Sequence, residues 1–416
     1  MDVLREKSAG LDVHRSVVVA CVLLSTPRGR VEKSVRSFTT TASGLAELSA
    51  WLAGCGVTHV GMEGTGVYWM PVYFALEAIS GLTLIVANAR HIKAVPGRKT
   101  DVIDAEWIAR LIRYGLVRPS FVPPPALRDL RDLTRYRRVL VEQQASERRR
   151  LIKLLEAAGM KLAQVLSDVL GVTGRAILRA LIDADRTPEA MADLAKGAAR
   201  NKRKPLTEAL RGRLAEHHRR ILAIQLRRIE DTEQQIGLLD DAMASRLEPD
   251  APQIRLLMSM PGVDRANAAA ILAEIGPDMS VFPTAGHLSA WAGVCPGNNQ
   301  SAGTQKGAAA RKGNRHLKTA LCNAATSAAR TSGSYFKAKY HSLKSRIGGG
   351  KATLAIGHKM LVCIWHMLAN GRFFQDLGEH YLDRRDQRRW LKRYARKLDA
   401  LGYSIVPKQP SEPAMT

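Results

Sequence analysis

Hydrophobic side chains in the first 120 residues follow two different periods, and stretches with each period alternate. Runs rich in β-branched or apolar residues predict strands within 11–24, 31–41, 59–62 and 82–88. Apolar positions repeat every three or four residues in the segments between and after them, which predicts helices at 43–52, 67–79 and 100–114. Strands in succession followed by strand–helix pairs predict a mixed α/β sheet.

The segment 119–125 contains four prolines and continues neither kind of element, so it predicts a domain boundary. Beyond it, two long amphipathic helices are predicted at 126–159 and 206–239. Their charged outer faces indicate either an antiparallel helical hairpin or a dimerising coiled coil. A helical insert, residues 162–204, separates them and ends in a basic run.

The remaining chain is predicted to be mainly helical. Residues 251–375 are rich in alanine and glycine around a polar loop at 296–307, and residues 383–397 predict a basic helix. The predicted segments are therefore an α/β domain at 1–124, a helical region at 125–250, an α-helical domain at 251–375 and a basic tail at 376–416.

Charge indicates the class of partner. The 416 residues include 63 Lys and Arg against 38 Asp and Glu, which gives a net charge of +25 and a pI near 10.2. Such a surface attracts polyanions, of which nucleic acid is the commonest, and an anionic membrane surface is the alternative. The longest apolar runs, 17–24 and 360–368, are too short to span a bilayer, and no export signal begins the chain. We therefore expect a cytoplasmic protein without a membrane partner.

The five cysteines are widely spaced and form no zinc-binding pattern, so a bound metal would need carboxylate ligands, as Mg²⁺ does. Four acids are candidates. Asp12 and Glu63 occur at predicted strands, and Asp101 and Asp104 are three residues apart at the start of a predicted helix. Each alone could be a helix-terminus or turn residue. Together they match the convergent carboxylates of a two-metal phosphoryl-transfer site.

Two later segments carry further candidates. Pro261, Gly262 and Val263 form a turn between two predicted helices, as in a helix-hairpin-helix whose turn amides bind a DNA phosphate; a plain helical hairpin is the alternative. The polar loop offers the hydroxyl of Ser301. Four cationic residues follow it and could neutralise phosphate: Lys306, Arg311, Lys312 and Arg315. A solvated turn is the alternative interpretation of this loop.

Several short motifs occur along the chain in a fixed order. They are Leu11-Asp12-Val13-His14, Met62-Glu63-Gly64-Thr65-Gly66, Lys99-Thr100-Asp101-Val102-Ile103-Asp104-Ala105, Met260-Pro261-Gly262-Val263, Gly293-Val294-Cys295-Pro296, Gln300-Ser301 and Lys312-Gly313-Asn314. Together they resemble the DEDD transposases of bacterial insertion sequences, over nearly the whole chain. These enzymes combine a RuvC-like domain with a C-terminal transposase domain.

The resemblance implies a ribonuclease-H-like fold for the N-terminal domain, with Asp12, Glu63, Asp101 and Asp104 holding Mg²⁺, or Mn²⁺ in its place. It also implies that Ser301 attacks a DNA phosphodiester to give a covalent phosphoserine intermediate. The acidic site would then be completed by a serine from the other domain.

The family resemblance further implies donor and target DNA as substrates, a structured non-coding guide RNA, a homo-oligomer (dimer or tetramer) and a location at the bacterial nucleoid. Two alternatives remain at this point. A hydrolytic nuclease that resembles Holliday-junction resolvases would use the carboxylates to activate water. A non-catalytic architectural protein would bind nucleic acid and leave it uncut.

Overall fold

The computed structural model describes residues 3–26, 28, 30–89, 92, 104–295, 300–301, 304–305 and 313–404. The chain divides into two compact units, Met1–Pro123 and Pro124–Thr416. Each is described by itself.

The first unit has the mixed α/β composition that the periodicity predicts. Its strands are β1 Lys7–Val13, β2 Val17–Ser25, β3 Val31–Thr39, β4 His59–Glu63 and β5 Thr83–Ala87. Its described helices are α1 Ala42–Gly54, α2 Trp69–Glu77 and α3 Asp104–Arg113. Thr41 caps α1 by accepting the amide of Gly44, as the predicted helix start requires. The stretch 11–24 holds parts of two strands, because the chain reverses after β1 and the amide of His14 donates to the carbonyl of Val17.

The five strands form one sheet in the order β3-β2-β1-β4-β5. β1, β2 and β3 pair antiparallel, whereas β4 is parallel to both β1 and β5. One face of the sheet forms a hydrophobic core with leucines of α1 and with Val72 and Leu76 of α2. The other face packs against α3, where Ala105 and Ala109 meet Cys21 and Leu23 of β2. The unit is therefore a three-layer arrangement with the sheet in the middle.

Gly10 allows α3 to lie directly on β1. A Cβ atom at this position would overlap the carbonyl oxygen of Ala105 and the amide nitrogen of Ala109, well inside van der Waals contact. Both atoms are backbone, so the clash could be relieved only by moving the helix.

We expect Gly10→Ala to lower the free energy of unfolding by about 1–3 kcal/mol, the usual effect of overfilling a packed core. Gly54→Ala is the matched control, since an added Cβ there meets no atom within 4 Å. Denaturant titrations followed by circular dichroism measure both effects. Equal transition midpoints for the two variants would contradict the close packing of α3 on β1.

The second unit is almost entirely helical. Its helices are α4 Pro125–Ala157, α5 Leu162–Val165, α6 Val172–Asp183, α7 Pro188–Ala192, α8 Arg203–Ala209, α9 Glu216–Arg246, α10 Ala251–Met258, α11 Arg265–Ile275, α12 Ala285–Ala292, α13 Arg315–Ala328, α14 Tyr335–Ile347, α15 Gly349–Asn370 and α16 Tyr381–Asp399. Two-residue strands, β6 Gln300–Ser301 and β7 Thr304–Gln305, form a small hairpin. Helix α16 contains the predicted basic helix of the tail.

The long helices α4 and α9 pack together and run antiparallel. Arg137 forms a two-bond ion pair with Asp240, at 2.6 and 3.0 Å. Further along α4, Gln144 donates to Glu233, which lies nearer the start of α9. The structure thus contains the predicted antiparallel helix pair, while a regular coiled-coil register stays a prediction.

The predicted helix 206–239 is wrong in its first part, because the chain breaks between α8 and α9. At Gly212 a Cβ atom would overlap the backbone of Ala158 and Gly159, so the two segments cross in close contact. The crossing is fixed by the amide of Arg213, which donates to the carbonyl of Ala158 at 2.9 Å. The insert between the long helices folds onto them and shares a hydrophobic core with Leu151 of α4.

Helix α15 is the one helix of the described residues that is long and apolar enough to cross a membrane, by length and composition only. Core helices of globular domains pass the same test. Seven residues of α15 are buried, and the helix packs against α12, α13 and α14. Its apolar composition therefore fits a role in the core of the second unit.

Candidate active site

Asp12 and Glu63 lie side by side at one edge of the sheet. Leu11 of β1 pairs in parallel register with Met62 of β4, and each acid is the next residue along its strand. The carboxyl ends of parallel strands meet at the same edge, so the register alone places the two acids together. The side chains are partly exposed rather than buried in the core.

Helix α3 brings Asp104 to the same end of β1. The helix runs antiparallel to β1. At the end of α3, the carbonyl of Arg113 accepts hydrogen bonds from the amides of Leu4 and Arg5, which precede β1. At its start, Ala105 lies on Gly10, further along the strand. Asp104 is the exposed first residue of α3. Three of the four predicted carboxylates therefore belong to one end of the sheet, and Asp101 lies outside the described residues.

The carboxylates at this edge have polar neighbours. Oδ2 of Asp12 lies 3.0 Å from Nε2 of His14, and the Asp12 side chain is 25% exposed. Oε1 of Glu63 accepts a hydrogen bond from the hydroxyl of Thr65. The next residue, Gly64, is hydrogen-bonded to β5, because its amide donates to the carbonyl of Ala87 at 2.9 Å. Both acids are therefore partly exposed, and each has a polar side chain within hydrogen-bonding distance.

Whether these residues suit a metal depends on donor type and on distance. Carboxylate oxygens are the ligands that Mg²⁺ and Mn²⁺ prefer, so the donor set fits. Within the described ranges, however, no three His, Cys, Asp or Glu side chains come close enough to hold a metal ion. The edge thus supplies carboxylates of the correct type, and a complete ligand set is not formed by the described side chains alone.

A fifth acid near this region, Glu106, has a structural role that the sequence did not indicate. It is buried on α3 and pairs with Lys33 at 3.1 Å and Arg110 at 2.6 Å. Burial by itself would raise the pKa of Glu106, but the hydrogen bonds and charges of the two cations outweigh it and lower the pKa. The ion pair with Lys33 links α3 to β3.

Ser301 belongs to the second unit, in strand β6, where it pairs with Thr304 of β7. Three of the four predicted phosphate-neutralising cations lie outside the described residues: Lys306, Arg311 and Lys312. Arg315, the fourth, is exposed as the first residue of α13. Gly313 sits against the backbone of Ala292 and Gly293, which fixes where the chain enters α13.

A buried ion-pair network lies next to this point, and no sequence pattern indicates it. Glu274 of α11 is only 2% exposed. Arg135 of α4 binds it with two hydrogen bonds of 2.8 and 2.9 Å, and Asn314 donates to it at 2.6 Å. Arg131 lies within ion-pair distance and also donates to the carbonyl of Ala273. One carboxylate therefore joins α4 and α11 to the residue that caps α13.

The predicted hairpin at residues 261–263 is present between α10 and α11. Gly262 has a φ of +84° and lies so close to α13 that a Cβ atom would overlap backbone atoms of Ala324 and Ala328. The carboxylate of Asp264 accepts the amide of Asn267 and caps α11. The turn is thus packed on α13, and phosphate binding by Pro261, Gly262 and Val263 stays a prediction.

Comparisons with known proteins agree with these features. A family model for the DEDD transposases of IS110 type, described as a transposase, matches residues 9–160. A second model, the transposase of the IS116/IS110/IS902 family, matches residues 254–341. The first match includes Asp12, Glu63, Asp101 and Asp104, and the second includes the α10–α11 hairpin and Ser301.

A curated relative is similar over part of the chain. The insertion element IS110 uncharacterized 43.6 kDa protein of Streptomyces coelicolor is 32% identical over 142 residues. The match covers 32% of this chain and 33% of that relative, so it spans about a third of either protein. The two family models together match more than half of the chain in the expected order. This chain therefore belongs to the IS110 family of DEDD transposases.

Proposed function

We propose that this protein is a DNA transposase that cuts and rejoins DNA strands of an insertion sequence in a reaction that depends on Mg²⁺. The observation that carries the proposal is the parallel register of β1 and β4, which puts Asp12 and Glu63 at one sheet edge. Asp104 comes to the same end of the sheet from α3. Family membership supports assigning these acids a catalytic role rather than a purely structural one.

The four carboxylates Asp12, Glu63, Asp101 and Asp104 would hold Mg²⁺, with Mn²⁺ as a substitute. The bound cation would neutralise charge on the reacting phosphate and polarise the attacking and leaving oxygens. The strand ends supply Asp12 and Glu63 as ligands fixed by sheet hydrogen bonds, and α3 supplies Asp104. Ligands on strands and helices are positioned more rigidly than ligands on loops.

Ser301 is the proposed nucleophile. Its Oγ attacks the phosphorus of a DNA phosphodiester while the bond from phosphorus to the leaving DNA oxygen breaks. The serine proton is lost to a base, and the leaving oxygen gains one. The resulting phosphoserine ester conserves the bond energy, so a DNA hydroxyl can attack it, reform a phosphodiester and release the serine. A ribonuclease-H-like fold of the first unit is part of the same proposal.

The remaining partners are proposed from the charge of the protein and, for the guide RNA, from the family resemblance. The net charge of +25 supports binding of donor and target DNA and of a structured guide RNA, at the nucleoid. The residues proposed to contact the nucleic-acid backbone are Pro261, Gly262, Val263, Lys306, Arg311, Lys312 and Arg315. A homo-oligomer is proposed because strand exchange requires several strands to be cut in one complex.

A hydrolytic nuclease is the alternative function, and Ser301 distinguishes the two. We expect Ser301→Ala to abolish strand cleavage of donor DNA incubated with RNA from the element's flank and Mg²⁺. The matched control is Ser245→Ala, an exposed serine of α9, which should cleave as the wild type does. Cleavage is measured with end-labelled DNA on a denaturing gel. Nicked DNA that persists in Ser301→Ala would instead support hydrolysis by activated water.

A further inference from the structure

A polar groove of about 250 Å³ runs between three helices of the second unit. One wall is α4, which contributes Arg135, Arg137 and Arg138. Small residues of α11 and α13, including Ala270 and Ala320, also line the groove and leave room for a ligand. The carboxylates of Asp264 and Glu274 also line the groove, but Asp264 caps α11 and Glu274 is paired with Arg135, so three arginines outnumber two engaged acids.

The opposite wall adds polar side chains that can donate hydrogen bonds. His316, Asn323 and Ser327 of α13 and Asn267 of α11 line the groove. The three positions on α13 lie on one helical face and, at 1.5 Å of rise per residue, extend over about 16 Å. A groove with donors along this length suits an extended ligand rather than a compact one.

The arginines differ in how firmly they are held. Arg135 is committed to the buried Glu274, and Arg137 is paired with Asp240. Arg138 pairs with Glu142 one turn away on the same helix, where Glu142 is 62% exposed. Exposed pairs of this kind contribute at most about 1 kcal/mol. An anion that enters the groove can therefore take Arg138 from Glu142 at little energetic cost.

The electrostatic environment of His316 is consistent with a positive groove. Burial lowers the pKa of His316, and the charges of Arg135, Arg315 and Arg138 lower it further, against a smaller opposing effect of Glu274. The imidazole is therefore neutral at pH 7, with a ring nitrogen available as a donor.

We propose that this groove binds the phosphodiester backbone of a nucleic-acid strand, with Arg138 on one wall and Asn323 and Ser327 on the other. A phosphodiester backbone fits because it is linear, carries a charge at every repeat and accepts hydrogen bonds along its length. The proposal rests on the proposed function only in taking nucleic acid as the ligand. DNA and RNA share this chemistry, and the experiment below distinguishes them.

The test measures binding by the full chain without cleavage. Fluorescence anisotropy with labelled 20-nucleotide single strands of DNA and of RNA, in EDTA and at several salt concentrations, compares four variants with the wild type. Two change the groove, Arg138→Gln and Asn323→Asp. Two are matched controls outside it, Arg149→Gln on α4 and Asn370→Asp on α15, both at exposed positions.

We expect each groove variant to weaken binding about 5- to 10-fold. In Arg138→Gln, the slope of log K against log salt concentration should decrease in magnitude by about 1, as for the loss of one phosphate contact. The controls should change affinity by less than about twofold. An effect with one kind of strand alone identifies that strand as the ligand, and an effect with both indicates backbone recognition. Equal effects of groove and control variants with both strands would overturn the proposal. Because no cleavage is measured, this result is independent of Asp12 and Ser301.

Discussion

Asp12→Asn is expected to reduce DNA strand cleavage by at least about 10³-fold while leaving the fold and DNA binding intact. The amide has the shape of the carboxylate and keeps its place at the end of β1, but it lacks the charge that the proposed Mg²⁺ site requires. A bound metal contributes several kcal/mol of charge stabilisation to such a transition state, and each 1.36 kcal/mol corresponds to a factor of about ten in rate. Cleavage of end-labelled donor DNA with excess Mg²⁺ measures the loss.

The control for Asp12→Asn is Glu32→Gln, which removes an exposed carboxylate at the far side of the same sheet, on β3. It should cleave at the wild-type rate. Glu63→Gln and Asp104→Asn should lose activity as Asp12→Asn does, because they belong to the same end of the sheet. Retention of cleavage within tenfold by Asp12→Asn would show that the strand-end carboxylates are not the reaction centre.

Glu274→Gln is expected to lower the free energy of unfolding at pH 7 by about 3–5 kcal/mol. Removing one partner of a buried ion pair leaves an uncompensated charge, and here Arg131 and Arg135 of α4 both lose the carboxylate with which they pair. Burial lowers the pKa of Arg131 to about 10, and the charge of Glu274 opposes this effect. Glu142→Gln is the control, because its exposed pair with Arg138 contributes at most about 1 kcal/mol. Equal denaturant midpoints for the two variants would contradict a structural role for Glu274.

The pH dependence of this effect follows from the direction of the pKa shift. Burial alone would raise the pKa of Glu274, but the hydrogen bonds from Arg135 and Asn314 and the charges of Arg131 and Arg135 lower it overall. A carboxylate with a lower pKa in the folded state stabilises the fold above its unfolded pKa of about 4.3. This contribution is lost as pH falls through the folded pKa. The stability difference between wild type and Glu274→Gln should therefore shrink below about pH 4.

The position of Asp12 and Glu63 at strands could be predicted from sequence, because strand periodicity places both acids next to apolar strand residues. Their alignment depends on a parallel register that local pattern does not specify. The position of Asp104 depends on a tertiary contact, the close approach of α3 to β1 at Gly10. In the sequence, this contact is indicated by the small side chain at position 10. The sequence predicted the acids, and the sheet topology explains why three of them share one end.

Glu274 and the helix break at Gly212 illustrate what sequence pattern misses. Glu274 lies in an alanine-rich helix and looks like an ordinary surface acid, because its arginine partners are about 140 residues earlier. At Gly212 the apolar spacing continues on both sides, so periodicity predicts one helix. The break follows from the crossing with Ala158 and Gly159, a contact between distant parts of the chain. Both features are tertiary in origin.

The most direct measurement of the central claim identifies the residue that becomes linked to DNA. The full protein is incubated with flank-derived RNA, donor DNA and Mg²⁺, the mixture is denatured, and the DNA-bound peptide is isolated and sequenced by mass spectrometry. We expect a phosphodiester-linked nucleotide on Ser301 that is absent in Asp12→Asn. Cleaved DNA with no attached peptide, or attachment to a residue other than Ser301, would contradict it.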